Sequence, residues 1–285
     1  MASCRSPAVA VLFAAVCALG AAPAAALDGW SFGGSTSQRY GGTPFPFAYD
    51  DLLGQAQVAM QLRCADGSVR RPVISIDAAD LPRGRSGRFV IPLAGGGSRA
   101  LEVWMTRQRR GSALRGRLRV RWEVRGGGEA ERCDSGWVRY TADENTFAGD
   151  VSRPADRPIA VSAQLARDGG SLRSLLIAWT TRDCPRAGGG TGFLSAPTRI
   201  TGVPVGRGGR FRARGSSEVA TPGGSTLIVR WRLAGSIRTL RSEGRTRQLL
   251  GGVLQVSADL REPDGSYRIR NCATDPLGYV FTAER

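Results

Sequence analysis

The chain has 285 residues and no histidine, and its 40 basic residues are all arginine, because lysine is absent as well. Without histidine, neither a Ser-His-Asp triad nor a Cys-His pair can be assembled. No CxxC spacing occurs, so a structural zinc site has no scaffold. There is no G-x-S-x-G elbow, no P-loop and no D-x-D-x-D calcium loop. The glycine-rich stretches GRGGRF (206–211) and GGGTGF (188–193) open no helical segment that would aim amides at phosphate, and they read as hairpin loops. No segment keeps a helical period beyond a turn or two. Long apolar runs are missing too, with one exception at the amino terminus.

That exception is AVAVLFAAVCALGAA, residues 8–22, preceded by Arg5 and followed by Ala24-Ala25-Ala26. The run is shorter than the roughly 20 residues a membrane span needs. With its basic start and small-x-small end, it predicts a cleaved export signal over residues 1–26 and no transmembrane segment in the mature chain. Cys4 and Cys17 fall in that segment. Cys64, Cys133, Cys184 and Cys272 remain, an even number, which predicts two disulfides in a secreted or envelope-located protein.

What is present is a pattern written twice. FGGSTSQ (32–38) is echoed by FAGDVSR (147–153). GRF recurs at 87–89 and 209–211. LRGRLRV (114–120) and LGGVLQV (250–256) share L-x-G-x-L-x-V. Cys133 and Cys272 each lead into an aromatic-Thr-Ala ending, Tyr140-Thr141-Ala142 and Phe281-Thr282-Ala283. Landmarks recurring in one order predict two tandem copies of a domain, residues 27–146 and 147–285. The offset between copies grows along the chain, which predicts longer loops in the second.

Each copy reads as strand. In QAQVAMQLRC, Ala56, Val58, Met60, Leu62 and Cys64 share a face; in LRGRLRVRWEV, Leu114, Gly116, Leu118, Val120, Trp122 and Val124 do. A period of two marks half-buried strands, and Gly and Asp-Gly turns punctuate them. The prediction is an all-β fold of two homologous antiparallel domains, each a β-sandwich or β-barrel. One cysteine lies early and one late in each copy. Pairing within copies, Cys64–Cys133 and Cys184–Cys272, closes loops of 69 and 88 residues, and each closure contributes about 4 kcal/mol in the chain-entropy account.

This order of landmarks resembles a repeat found in exported proteins of high-GC actinobacteria, a group with no established activity. The resemblance implies export and an all-β fold and carries no functional residue.

Chemistry is sparse. Asp50-Asp51, Asp143-Glu144, Asp259 and Glu262 are the carboxylates open to glycosidase work, but most sit beside turn residues, and neighbours on a strand diverge. The formal net charge of +16 favours contact with polyanions. Its sharpest expression is Arg115, Arg117, Arg119 and Arg121, every second residue of one strand and so roughly 7 Å apart. Arginine grips phosphate or sulfate through paired hydrogen bonds. TRQRRG (106–111) would widen that patch. The second copy carries Arg210, Arg212 and Arg214 instead, and RTLRSEGRTR (238–247) reads as a solvated basic loop. The plainer reading is a solvated outer face filled with the only basic residue this composition uses. Trp122 and Trp231 fall on apolar faces, whereas Trp137 shares a face with Arg139 and Thr141. The expected role is non-catalytic: a binding module for an anionic polymer or an envelope protein, with no cofactor. A lipocalin-like carrier of an apolar ligand and a carboxylate-dependent hydrolase are the alternatives.

Overall fold

The computed structural model describes residues 32–50, 54–76, 86–92, 98–125, 131–153, 160–181, 184–221, 223–242, 245–273 and 279–285. The export signal expected over 1–26, and Asp51, lie outside these residues. Among them the chain is all-β and antiparallel. The first half supplies β1 (Phe32–Tyr40), β2 (Thr43–Asp50), β3 (Gln55–Ala59), β4 (Leu62–Cys64), β5 (Val69–Arg70), β6 (Val73–Ile76), β7 (Ser86–Pro92), β8 (Ser98–Arg110), β9 (Ala113–Arg125), β10 (Glu131–Asp134) and β11 (Val138–Asp143). The second half supplies β12 (Phe147–Arg153), β13 (Val161–Leu165), β14 (Ser171–Thr180), β15 (Cys184–Pro185), β16 (Thr191–Gly192), β17 (Ser195–Pro204), β18 (Arg210–Ala220), β19 (Thr226–Ser242), β20 (Arg245–Arg261), β21 (Tyr267–Ala273) and β22 (Tyr279–Glu284).

The pairings repeat. The first sheet runs β6-β3-β2-β1-β11-β9-β8-β7, and β9 also pairs β10. The second runs β17-β14-β13-β12-β22-β20-β19-β18, and β20 also pairs β21. A short pair carrying the first cysteine sits beside each, β4-β5 and β15-β16. The first sheet is a half-barrel. The second curls until a bridge between Val205 and Phe211 brings β17 to β18, and it is a nearly closed barrel.

The recurring motifs meet each other in space. Gly34 of F-x-G lies opposite Ala142 of Tyr-Thr-Ala, and Gly149 opposite Ala283 of Phe-Thr-Ala. A Cβ on either glycine would stand 1.9 Å from the carbonyl oxygen of Thr141 or Thr282, a distance no packed carbon tolerates. The glycine of L-x-G-x-L-x-V lies opposite the aromatic of the ending: Gly116 opposite Tyr140, Gly252 opposite Phe281. It leaves room for that ring, since a Cβ would come within 2.6 Å of Tyr140 Cζ or 2.8 Å of Phe281 Cζ. Tyr140 then reaches over β9 and its hydroxyl donates to the Thr106 carbonyl at 2.9 Å. GRF is different. It lies on matching strands, β7 and β18, but out of register: Phe89 pairs Val103, which pairs Val120, whereas Phe211 pairs Gly235, which pairs Gly252.

The disulfides are Cys64–Cys133, within a β4–β10 pair, and Cys184–Cys272. The alternating face of QAQVAMQLRC is buried throughout, but the run is two strands. The Gln61 N–H donates to Gln38 Oε1 at 2.8 Å, and Gln38 Nε2 donates to the Gln61 carbonyl at 2.9 Å and the Ser135 carbonyl at 3.2 Å. Gln38 thus ties β1 to the link between β3 and β4. The extra length of the second half goes into strand as well as loop. Sixteen residues (236–251) lie between the Gly235–Gly252 pair at the hairpin tip, against eight (108–115) between Arg107 and Gly116. Within RTLRSEGRTR, residues 238–242 and 245–247 are therefore paired strand ends of the β19–β20 ribbon, where the sequence predicts a loop.

The two cores are not separate. Phe32, Phe47, Tyr49, Leu118 and Tyr140 belong to one cluster. Tyr40, Phe45 and Ala59, also from the first half, join Phe147, Trp179, Leu254 and Phe281 in the other. Strand β2 is buried on both faces for this reason. Arg71 lies at the same junction, its guanidinium 4.0 Å from the Tyr40 ring centre, and its carbonyl accepts from Ser195 Oγ at 3.3 Å. Burial there raises the Tyr40 pKa and lowers that of Arg71.

Candidate functional site: two arginine-bearing outer faces

Strand β9 alternates as expected. Leu114, Leu118 and Val120 are buried, while Arg115, Arg117, Arg119 and Arg121 point outward. The four do not act alike. Asp134 of β10 accepts from Arg119 Nε and a terminal guanidinium nitrogen, at 3.0 and 2.6 Å, and from Arg121 Nε at 3.0 Å. Burial would raise the Asp134 carboxyl, yet hydrogen bonds from Arg119, the Gly136 N–H and Arg121 bring it down to about 2. Two arginines of the stripe are thus committed to a carboxylate. Both also lie over Trp104 on β8, with guanidinium carbons 5.9 and 5.2 Å from the ring centre, and Arg88 joins them at 5.3 Å. Arg88 in turn pairs with Glu102 at 2.7 Å.

The outward orientation of Trp104 follows from its place between buried Val103 and Met105; the alternation in LEVWM is the signal in the sequence that marks it. Arg115 and Arg117 make no ion pair among the described residues, and Arg117 lies directly opposite Arg139. TRQRRG widens the stripe only in part: Arg110 is exposed and follows Thr106 and Gln108, which lie opposite Arg117 and Arg115, along the outer face of β8. Arg107 and Arg109 sit opposite Gly116 and Leu114, on the inward side of β8. There Arg107 donates to the Tyr49 hydroxyl, and Arg109 lies over Phe32 and pairs with Glu144 at 2.5 Å.

The second half builds its charge two strands away from β20, the strand that carries its L-x-G-x-L-x-V motif. Arg210, Arg212 and Arg214 lie along the outer face of β18. Across three strands the rows read Arg214–Arg232–Gln255 and Arg212–Ala234–Val253. Short side chains in the middle and long arginines around them leave an open depression of about 570 Å³ lined by Arg212, Arg214, Arg232, Ala234, Val253 and Gln255. Arg212, Arg214 and Arg232 make no ion pair among the described residues. Nearby Arg230 pairs with buried Asp259 at 2.8 Å, which also accepts from the Asn271 N–H at 2.7 Å. Arg214 and Arg232 are like charges directly opposite each other, an arrangement that costs stability when nothing neutralises it.

The carboxylates considered for hydrolysis have other partners. Asp143 accepts from the Asn145 N–H and Ser112, Glu144 from Arg109, Glu262 from Ser225, and Asp259 from Arg230. Asp50 is buried on β2. The barrel interior is packed with Trp179, Leu233, Leu254 and Phe281. Trp122 and Trp231 are half-buried against the cores, and Trp137 is 53% exposed. No helix among the described residues is long and apolar enough to cross a membrane, and two formed disulfides fit a protein of an oxidising, extracytoplasmic compartment.

No protein-family model matches the chain, and no curated protein or solved structure is similar to it.

Proposed function

We propose that the protein is a non-catalytic binding module, secreted or held at the cell envelope, that grips an anionic polymer on its arginine-bearing outer faces. We read its two sheets as copies of one duplicated domain whose outer faces have diverged. The observation that carries the reading is the Arg212–Arg214–Arg232 group. Three guanidiniums surround one depression with no carboxylate among its lining residues, and two face each other across a strand pair. Neutralisation by an external anion removes the repulsion and adds paired hydrogen bonds. Arg115 and Arg117 extend the positive surface on the first copy, while Arg119 and Arg121 serve its internal structure. A packed barrel core favours surface binding over an enclosed apolar ligand.

The test is polyanion binding across a salt series. Changing Arg212, Arg214 and Arg232 together to Gln should lower the slope of log K against log salt by roughly one unit for each arginine that touches the polymer. The variant with Arg115, Arg117, Arg119 and Arg121 all changed to Gln should lower it by less per substitution, because Arg119 and Arg121 are held by the single carboxylate of Asp134. A triple variant with an unchanged slope would sink the proposal.

A further inference from the structure

Trp137 is exposed although everything beneath it is fixed. The turn that presents it, Asp134-Ser135-Gly136, follows the disulfide at Cys133. Asp134 is held by Arg119 and Arg121, and its Oδ1 accepts from the Gly136 N–H at 2.8 Å. Ser135 exchanges hydrogen bonds with the Val120 backbone: its N–H donates to the carbonyl at 2.9 Å, and its Oγ accepts from the N–H at 2.8 Å. The Ser135 carbonyl accepts from Gln38, and Gly136 takes φ +63°, a conformation open to glycine. An exposed indole on a loose loop can fold back onto the protein. This one is held out in water by a turn anchored to β9, β1 and β4.

Beside it on the same face come Arg139 and Thr141, alternating with buried Val138, Tyr140 and Ala142. Arg139 lies opposite Arg117, and Thr141 opposite Arg115. These three arginines make no ion pair among the described residues. The surface is one open aromatic face followed by unneutralised guanidiniums at strand spacing, roughly 5–7 Å apart.

We infer that Trp137, Arg117 and Arg139 form a subsite for an acidic polysaccharide. One pyranose lies with its C–H face on the indole, and the carboxylate or sulfate groups of the next residues lie on the two arginines. This deepens the anionic-polymer reading and rests on it, while placing a separate site on the first copy. The single open ring favours a sugar over a single-stranded nucleic acid. Strand-gripping proteins stack successive bases on several rings, and the other tryptophan of this face, Trp104, is covered by Arg88, Arg119 and Arg121. A rigid ring also loses little freedom on binding. The Arg119–Asp134–Arg121 cluster then acts as a positioning group for Trp137.

The test titrates the purified, disulfide-bonded protein with a chondroitin sulfate hexasaccharide, which bears both carboxylate and sulfate, and with neutral cellohexaose and oligo-dT. Affinity is read beside acrylamide quenching of tryptophan fluorescence. The expected result is that the acidic sugar shields one quenchable tryptophan, that Trp137→Ala weakens it on the order of tenfold, and that Trp137→Tyr recovers part of the loss. The Arg212, Arg214 and Arg232 triple Gln variant should keep this shielding. If Trp137→Ala binds as tightly as wild type, or if oligo-dT binds more tightly than the sugar and shields the same ring, the inference is overturned. A loss confined to the triple variant would overturn the subsite and leave the broader reading standing. No binding of any polyanion would remove both.

Discussion

The row Arg88–Trp104–Arg119 in the first sheet and the row Arg214–Arg232–Gln255 in the second occupy matching strands of one topology. In the first, cations cover an aromatic ring and are answered by Glu102 and Asp134. In the second, an arginine stands where the tryptophan stood, and no carboxylate among the described residues pairs with it. One row closes on itself; the other leaves charge for something outside. Counting arginines along a strand does not distinguish them. What distinguishes them is the identity of residues one strand over, which register alone brings near.

The difference can be broken at several places. The largest effect is expected where the two halves share a core. Phe45→Ala should cost about 3–5 kcal/mol. The loss should appear in hydrogen exchange of β12–β14 and β17, in the second sheet, although the residue belongs to the first; protection that falls only in the first sheet would mean the cores are energetically separate. Next come the paired glycines. Gly34→Ala and Gly149→Ala should each cost about 3 kcal/mol, because the obstacle is a backbone carbonyl that cannot rotate away. Denaturant melts that differ greatly between the two would show that the matching rows do not bear matching strain. Arg119→Gln should cost about 1 kcal/mol by loosening the Asp134 turn. Arg214→Gln should instead raise Tm slightly at low salt by relieving the pair with Arg232, a gain that added salt erases. A destabilising Arg214→Gln would show that its guanidinium has an internal partner.

The smallest effect is the acid response of the turn. The folded Asp134 carboxyl titrates at about 2, below the unfolded value of about 4. Its contribution is therefore complete above roughly pH 4 and is lost as the pH falls toward 2. Trp137 emission should shift across that interval in wild type and stay flat in Asp134→Asn. A wild-type shift centred at higher pH would assign the transition to another group.

Much of the architecture is legible in the sequence. Alternation in LRGRLRVRWEV marks a half-buried strand because side chains on a pleated strand point to opposite faces. The double F-x-G and aromatic-Thr-Ala patterns mark the strands that pair in each sheet, because the glycine exists to admit the other motif. The two disulfides follow from one cysteine early and one late in each half. GRF is a weaker guide, since it keeps its strand and not its register. TRQRRG is a partial guide: Arg110 lies on the outer face, whereas Arg107 and Arg109 alternate to the other side, where Arg107 reaches Tyr49 and Arg109 lies over Phe32 and pairs with Glu144.

The sequence by itself determined strand, turn, pairing motif and disulfide, all properties of local period or of residues that tolerate one geometry. It also determined the excess of arginine. The tertiary structure decided which arginines are neutralised and which are open, because neutralisation depends on carboxylates and rings brought alongside from distant strands. It decided as well that Tyr40 and Phe45 complete the other half's core. A strand buried on both faces carries no mark in its own sequence of whose core lies on either side.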